Sequence, residues 1–211
     1  GVGYATHNHP VSSSFSPGDI VSLGSGYQTL AAVGHNGTTH FAKAGEFMPE
    51  FPFLRRSPDG GKDIQKFHKA IGEVDFIAAN RVTNDYYYEV GQDERKARIV
   101  TRAVLSLYLD RLGIISYSGD AKRILDDAGI DYEAGFAKHR DEFVAAFRRA
   151  GFPVAEVSDT GGNRPGDRAG GAAELGIGKD GSAENADGNA GSRAGLIKMG
   201  PPPVKGPAKS G

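Results

Sequence analysis

Thr6-His7-Asn8-His9-Pro10-Val11-Ser12-Ser13-Ser14-Phe15-Ser16-Pro17-Gly18-Asp19 is the stretch from which the rest of the chain is read. It sets two imidazoles two residues apart, then a serine and a carboxylate three residues apart. The preceding Val2-Gly3-Tyr4-Ala5-Thr6 is β-prone. A strand running on through His9 puts both rings on one face, because strand side chains alternate. Pro10 has no N–H to donate and ends the ladder. Ser16 then suits a helix N-cap and Pro17 the first helical position. Asp19 falls at the third position, a capping box with Asp in place of the usual Glu or Gln. A negative charge there is favoured by about 0.3–1 kcal/mol, which helps keep the carboxylate ionised. Ile20, Val21 and Leu23 give this helix an apolar side. The order strand, loop, helix sets the start of a mixed fold, α/β or α+β.

Two histidines and an aspartate are a typical ligand set for catalytic zinc, which takes three protein ligands and keeps one position open. Each piece also has a plainer reading. Ser-x-x-Asp alone is a helix cap, and two histidines at i, i+2 are a common surface accident. The conjunction is rarer than either piece and points to a metal, Zn2+, on His7, His9 and Asp19.

His-x-His-Pro, five residues, then Ser-x-x-Asp resembles the signature of the JAB/MPN (JAMM) metallopeptidase family. The form His7-Asn8-His9-Pro10 with a serine-rich loop is most similar to the bacterial RadC-like branch. The resemblance implies that His7, His9 and Asp19 bind zinc and that Ser16 stabilises the oxyanion. It implies hydrolysis of an amide or isopeptide bond in a protein or peptide substrate. The string Thr29-Leu30-Ala31-Ala32-Val33-Gly34-His35-Asn36-Gly37 is also similar to JAB-like domains of tailed-phage minor head or head-morphogenesis proteins. That likeness implies phage capsid components as partners and keeps open a second function, a non-catalytic structural or interaction module. One departure stands out. The family activates its water with a glutamate upstream of the histidine pair, and none of the six residues before His7 is acidic. The expectation is that residues 1–45 are the C-terminal part of such a domain, with the glutamate on a segment preceding Gly1. Glu46 and Glu50 lie in the wrong order for that role.

Outward from the motif, Gln28 to Gly34 and Thr38 to Lys43 are β-prone runs around His35-Asn36-Gly37. Asn-Gly between apolar runs predicts a hairpin with a type I′ turn, φ > 0 at both central residues. Residues 46–61 read as a connector in which Phe47, Phe51 and Phe53 alternate with Pro49, Pro52 and Pro58. Residues 62–152 read as a helical region. Ile64, Phe67, Ile71, Val74 and Ile77 recur at spacings of three and four. Tyr86-Tyr87-Tyr88, within Asn84 to Val90, suits a short strand or an aromatic turn. Asp93 to Leu112 predicts a helix stopped by Gly113. Gly119 to Ala128 and Tyr132 to Ala150 predict two more, ending at Gly129 and Gly151. The last has Phe136, Phe143 and Phe147 on one face; its basic face of Lys138, Arg140, Arg148 and Arg149 reads as solvated. Residues 153–211 form a tail rich in Gly, Ala, Asp, Asn, Ser and Pro. It lacks the apolar surface to offset about 1–2 kcal/mol per ordered residue and reads as disordered. Within it, Leu196-Ile197-Lys198-Met199 suits a partner-binding motif or nothing at all.

Composition sets outer limits. The formal net charge of −1 gives no general drive toward nucleic acid or membrane. The chain has no cysteine, which excludes disulfides and thiolate zinc sites and fits a reducing cytoplasm, or a virion if phage-encoded. No apolar run approaches the roughly 18–20 residues needed to cross a bilayer. His35, His40, His68 and His139 have no partner at motif spacing and read as ordinary.

Overall fold

Tyr4–His9 forms strand β1, as the alternation predicts, and the computed structural model describes it together with the rest of residues 3–25, 27–50 and 60–155. Helix α1, Pro17–Gly24, carries the chain to β2, Thr29–Gly34, which lies parallel to β1. A parallel pair needs such a crossover. β3, Thr39–Ala44, returns antiparallel to β2. β4, Ile115–Gly119, pairs antiparallel with β3 and completes a four-stranded mixed sheet in the order β1-β2-β3-β4. The fold is mixed α/β.

The register aligns the positions that matter. His7 pairs with Ala32, Ala32 with His40, and His40 with Gly119. One row thus crosses the inner face with only a methyl group between the two imidazole positions. Leu30, Ala32, His40, Ala42 and Tyr117 are buried on that face, while Tyr4, Val33 and Phe41 on the other are exposed.

Helix α2, Gly60–Ile77, buries Phe67, Ile71 and Val74 on its predicted apolar side. It runs on through a π-helical turn, Ala78–Val82, where Thr83 donates its N–H to the Ala78 carbonyl at 3.0 Å. Helix α3 is Asn84–Glu89 and α4 is Glu94–Arg111, capped by the Asp93 carboxylate on the N–H groups of Arg95 and Lys96. From Val100 to Leu109 α4 is buried on most of its circumference, the mark of a central helix. Helices α5, Ala121–Asp127, and α6, Tyr132–Ala150, follow; Phe143 and Phe147 of α6 are fully buried and Phe136 nearly so. One apolar cluster spans Phe15, Leu30, Phe67, Leu105, Ile114 and Phe147, so sheet and helices share it. The basic face of α6 is partly paired, Arg140 with Asp141 and Arg149 with Glu73. No helix among the described residues is long and apolar enough to cross a membrane.

Three local expectations are corrected. Tyr86-Tyr87-Tyr88 lies in a helix, not a strand or turn, with Tyr86 packed on the core and Tyr88 exposed. The β2–β3 turn is not type I′, because Asn36 does not take a positive φ; Gly37 does, at 83°. The loop has three residues, closed by Gly34 N–H to the Thr38 carbonyl at 2.8 Å, with Gly37 in the left-handed position such loops require. Asn36 instead uses its side chain, Oδ1 accepting from Thr38 N at 3.1 Å and Thr38 Oγ1 at 2.8 Å. The third is β4, in a segment to which the sequence reading gave no element. Most of the Phe/Pro connector, 51–59, and nearly all of the expected tail, from 156 onward, lie outside the described residues.

Candidate metal centre

His7 and His9 share the inner face of β1, and the next turn of structure brings Asp19 to them. His7 Nε2 lies 3.3 Å from Asp19 Oδ1, and His9 Nε2 lies 3.7 Å from Asp19 Oδ2. One donor atom from each of the three residues falls within 4.8 Å of the others, a group that could hold a metal ion. The His9 side chain is 11 % exposed, against 35 % for His7 and 23 % for Asp19, so the group is rooted in the protein and open on the His7 side.

The backbone fixes two of the three ligands. His9 Nδ1 sits 2.5 Å from the Ser13 carbonyl. A carbonyl only accepts, so Nδ1 carries the proton and Nε2 of the neutral ring presents a lone pair. This is the outer hydrogen bond that orients most metal-binding histidines. Asp19 Oδ2 accepts from Ser16 N–H at 2.7 Å, and Ser16 Oγ accepts from Asp19 N–H at 3.2 Å, the full capping box. Oδ1 is left facing His7. The two Nε2 atoms are 2.6 Å apart, at hydrogen-bond distance. Zinc at about 2.0–2.1 Å from each, with tetrahedral angles, would set them about 3.3 Å apart, so the rings would open by about 0.7 Å to receive it.

The loop between Pro10 and Phe15 is held as tightly. Ser12 adopts φ of 56° and donates its N–H to the His9 carbonyl at 2.8 Å. Its Oγ accepts from Asn36 N–H at 3.2 Å, which ties this loop to the β2–β3 turn. Gly34 lies beneath: a Cβ there would sit 2.8 Å from Ser12 Cα and closer still to Thr38 Oγ1.

Behind the centre is a buried polar layer. Phe15 stands edge-on to both His9 and His40, with ring centroids 6.4 Å away in each case. His40 is fully buried, its Nδ1 2.7 Å from Tyr117 Oη. Tyr117 Oη also accepts from Ala121 N–H at 3.1 Å, and the second nitrogen of the His40 ring is Nε2. That Nε2 is buried with no hydrogen-bond partner among the described residues. Burial drives the His40 pKa down to about 4, against the pull of Asp120, with His9 and Arg123 adding to the fall. Ser14 continues the layer to Ser106 of α4 at 2.7 Å.

Helix α4 also edges the centre with arginines. Arg95 Nη2 donates to the Pro10 carbonyl at 3.1 Å, and Arg102 Nη1 donates to Asp75 at 2.9 Å. Burial raises the Asp75 carboxyl, with Arg102 and Arg98 opposing. Burial lowers the Arg102 guanidinium, with Asp75 and, more weakly, Asp19 supporting its charge.

All four site residues named from the sequence lie on β1 and the first turn of α1. His7, His9 and Asp19 are brought together, and Ser16 is the cap beside them. Sequence reasoning missed the supporting groups: Ser13, Ser12, His40 and the arginines of α4. Only the arginines left a trace, a spacing of three and four at 95, 98 and 102. Compared with family models, curated proteins and solved structures, the chain matches none.

Proposed function

We propose that His7, His9 and Asp19 hold zinc and that the chain carries a JAB-type metallohydrolase centre for amide or isopeptide bonds. One observation carries this reading: three donor atoms converge while the second polar atom of two of these groups is already engaged. His9 Nδ1 is held by Ser13 and Asp19 Oδ2 by Ser16. When bound, zinc would polarise the scissile carbonyl and bring a water toward ionisation near pH 7. The chain's own residues supply the rest. Asp19 brings the negative charge, kept beside the positive end of α1. Ser16 spends an Oγ lone pair on the cap, and its hydroxyl proton remains to donate to the oxyanion. The family resemblance calls for a glutamate as general base, and none precedes His7 in this sequence.

The likeness of Thr29 to Gly37 to JAB-like domains of phage head proteins supports a second reading, a non-catalytic structural or interaction module of a phage head-associated protein, in which the centre binds metal without turnover. Metal content separates both readings from chance. The purified chain is expected to take up about one zinc, and His7→Ala and Asp19→Ala to lose it. Stoichiometric zinc that survives both substitutions refutes the ligand assignment. Peptide-amide hydrolysis by the loaded protein, lost in Ser16→Ala with zinc retained, then favours the first reading.

A further inference from the structure

We infer that the centre receives an amide substrate bearing a carboxylate, and that Arg98 binds this anion; the inference rests on His7, His9 and Asp19 as metal ligands. Arg95, Arg98 and Arg102 recur at spacings of three and four and so share one face of α4. The first of this row is tied to the loop of the centre, and the last lies within its electrostatic reach. Arg95 holds the carbonyl of Pro10, the residue after His9. Arg102, bonded to Asp75, feels the charge of Asp19. Arg98 lies between them, about 4.5–6 Å along the axis from each. It is exposed, and the carboxylate whose field it feels, Asp75, is already bonded to Arg102.

The charge count follows from these contacts. Asp75 offsets one guanidinium of three, and Glu94 in the first turn of α4 offsets a second in net charge. Asp19 answers none once it binds a divalent ion, because one carboxylate and two neutral imidazoles leave that ion a positive charge. The α4 edge of the loaded centre is therefore cationic in a chain of net charge −1. Arg95 and Arg102 have acceptors within the protein, whereas Arg98 is exposed, and a guanidinium's planar fork takes a carboxylate in two parallel hydrogen bonds. In a peptide-type amide that anion is an acidic side chain or a terminal carboxylate.

The test uses zinc-loaded full chain and hydroxamates that anchor on zinc. N-acetylglutamate α-hydroxamate carries a side-chain anion, and its glutamine counterpart is the neutral control. A hydroxamate of malonyl-glycine carries a terminal anion, and its glycinamide form is the control. Titration calorimetry should give at least one acidic probe an advantage of about tenfold over its control, the size of one charge-assisted hydrogen bond. Which probe gains it identifies the source of the carboxylate. In Arg98→Gln the advantage should fall to within about twofold, with zinc uptake and neutral-probe affinity unchanged; Arg98→Lys should keep part of it. Zinc uptake with no acidic preference overturns this inference and leaves the metal reading standing. A preference that survives Arg98→Gln overturns the role of Arg98. A chain that takes up no zinc overturns both readings.

Discussion

At the scale of single residues, cap and ligand are not rival explanations of Ser16 and Asp19. The capping box consumes Asp19 Oδ2 and a lone pair of Ser16 Oγ, which aims Asp19 Oδ1 at His7. Asp19→Asn separates the two roles. Asparagine keeps an oxygen for the Ser16 N–H and gives up only the attraction of a charge to the helix N-terminus, so chemical denaturation should show a loss of about 0.3–1 kcal/mol. The anionic ligand is gone, so zinc affinity should fall beyond the roughly 10–100-fold that loss of an outer partner costs. A folded Asp19→Asn chain with undiminished zinc affinity would reduce Asp19 to a cap. His40 permits a second prediction. Its pKa is held near 4 against an ordinary 6.5, so the unfolded chain binds the extra proton more readily. This contribution to stability is complete above pH 6.5 and is lost as pH falls through 4. It is worth about 3 kcal/mol at the acid end, at about 1.4 kcal/mol per pKa step. Urea midpoints measured from pH 7 to 4 should fall less steeply in His40→Gln than in the parent. Equal slopes would show that His40 does not titrate on unfolding.

At the scale of elements, the loop from Pro10 to Phe15 and the β2–β3 turn act as one support. Ser12 is bonded to Asn36, and the next residue, Ser13, sets the His9 ring. Gly34 is the floor under this junction. Gly34→Ala should cost about 1–3 kcal/mol by overpacking, and it should also weaken zinc binding, because the displaced loop carries the Ser13 carbonyl. The reading is checked by comparing urea midpoints with zinc titrations; lost stability with unchanged zinc affinity would uncouple the loop from the centre. Much of this layer was legible in the sequence, because its signals are local. Alternation gave β1, the cap gave α1, and spacings of three and four gave α2, α4 and α6. The type I′ expectation failed because the Asn36 side chain supplies the turn's acceptor, which leaves one positive φ where two were expected. Strand β4 was hidden for a different reason. It has five residues, two of them outward serines, and its pairing comes from β3, more than 70 positions earlier. His40 looked ordinary because its partner Tyr117 lies on that same strand.

At the scale of the whole described structure, β4 decides how the centre is held. It leaves α4 and pairs with β3, so the sheet that carries His7 and His9 is completed by the part of the chain that reads as helical. The apolar cluster is shared in the same way, and Ser14 of the site loop is bonded to Ser106 at the middle of α4. No seam separates a metal-binding half from a helical half. The centre should therefore disappear with the fold and not before it. In a urea titration of zinc-loaded chain, zinc release to a chromophoric chelator and loss of helical circular dichroism should share one midpoint. Zinc in excess should raise that midpoint by linkage, about 2.7 kcal/mol at a hundredfold over Kd. Phe143→Ala tests the coupling at a distance. Phe143 is fully buried on α6, against Tyr108 and Phe136 and away from the histidines. Its truncation should cost about 3–5 kcal/mol and move both midpoints down together. If zinc were released at one urea concentration and the helices lost at a clearly higher one, β1, α1 and the hairpin would be a separate cooperative unit, and the shared core would not be what holds the three ligands in place.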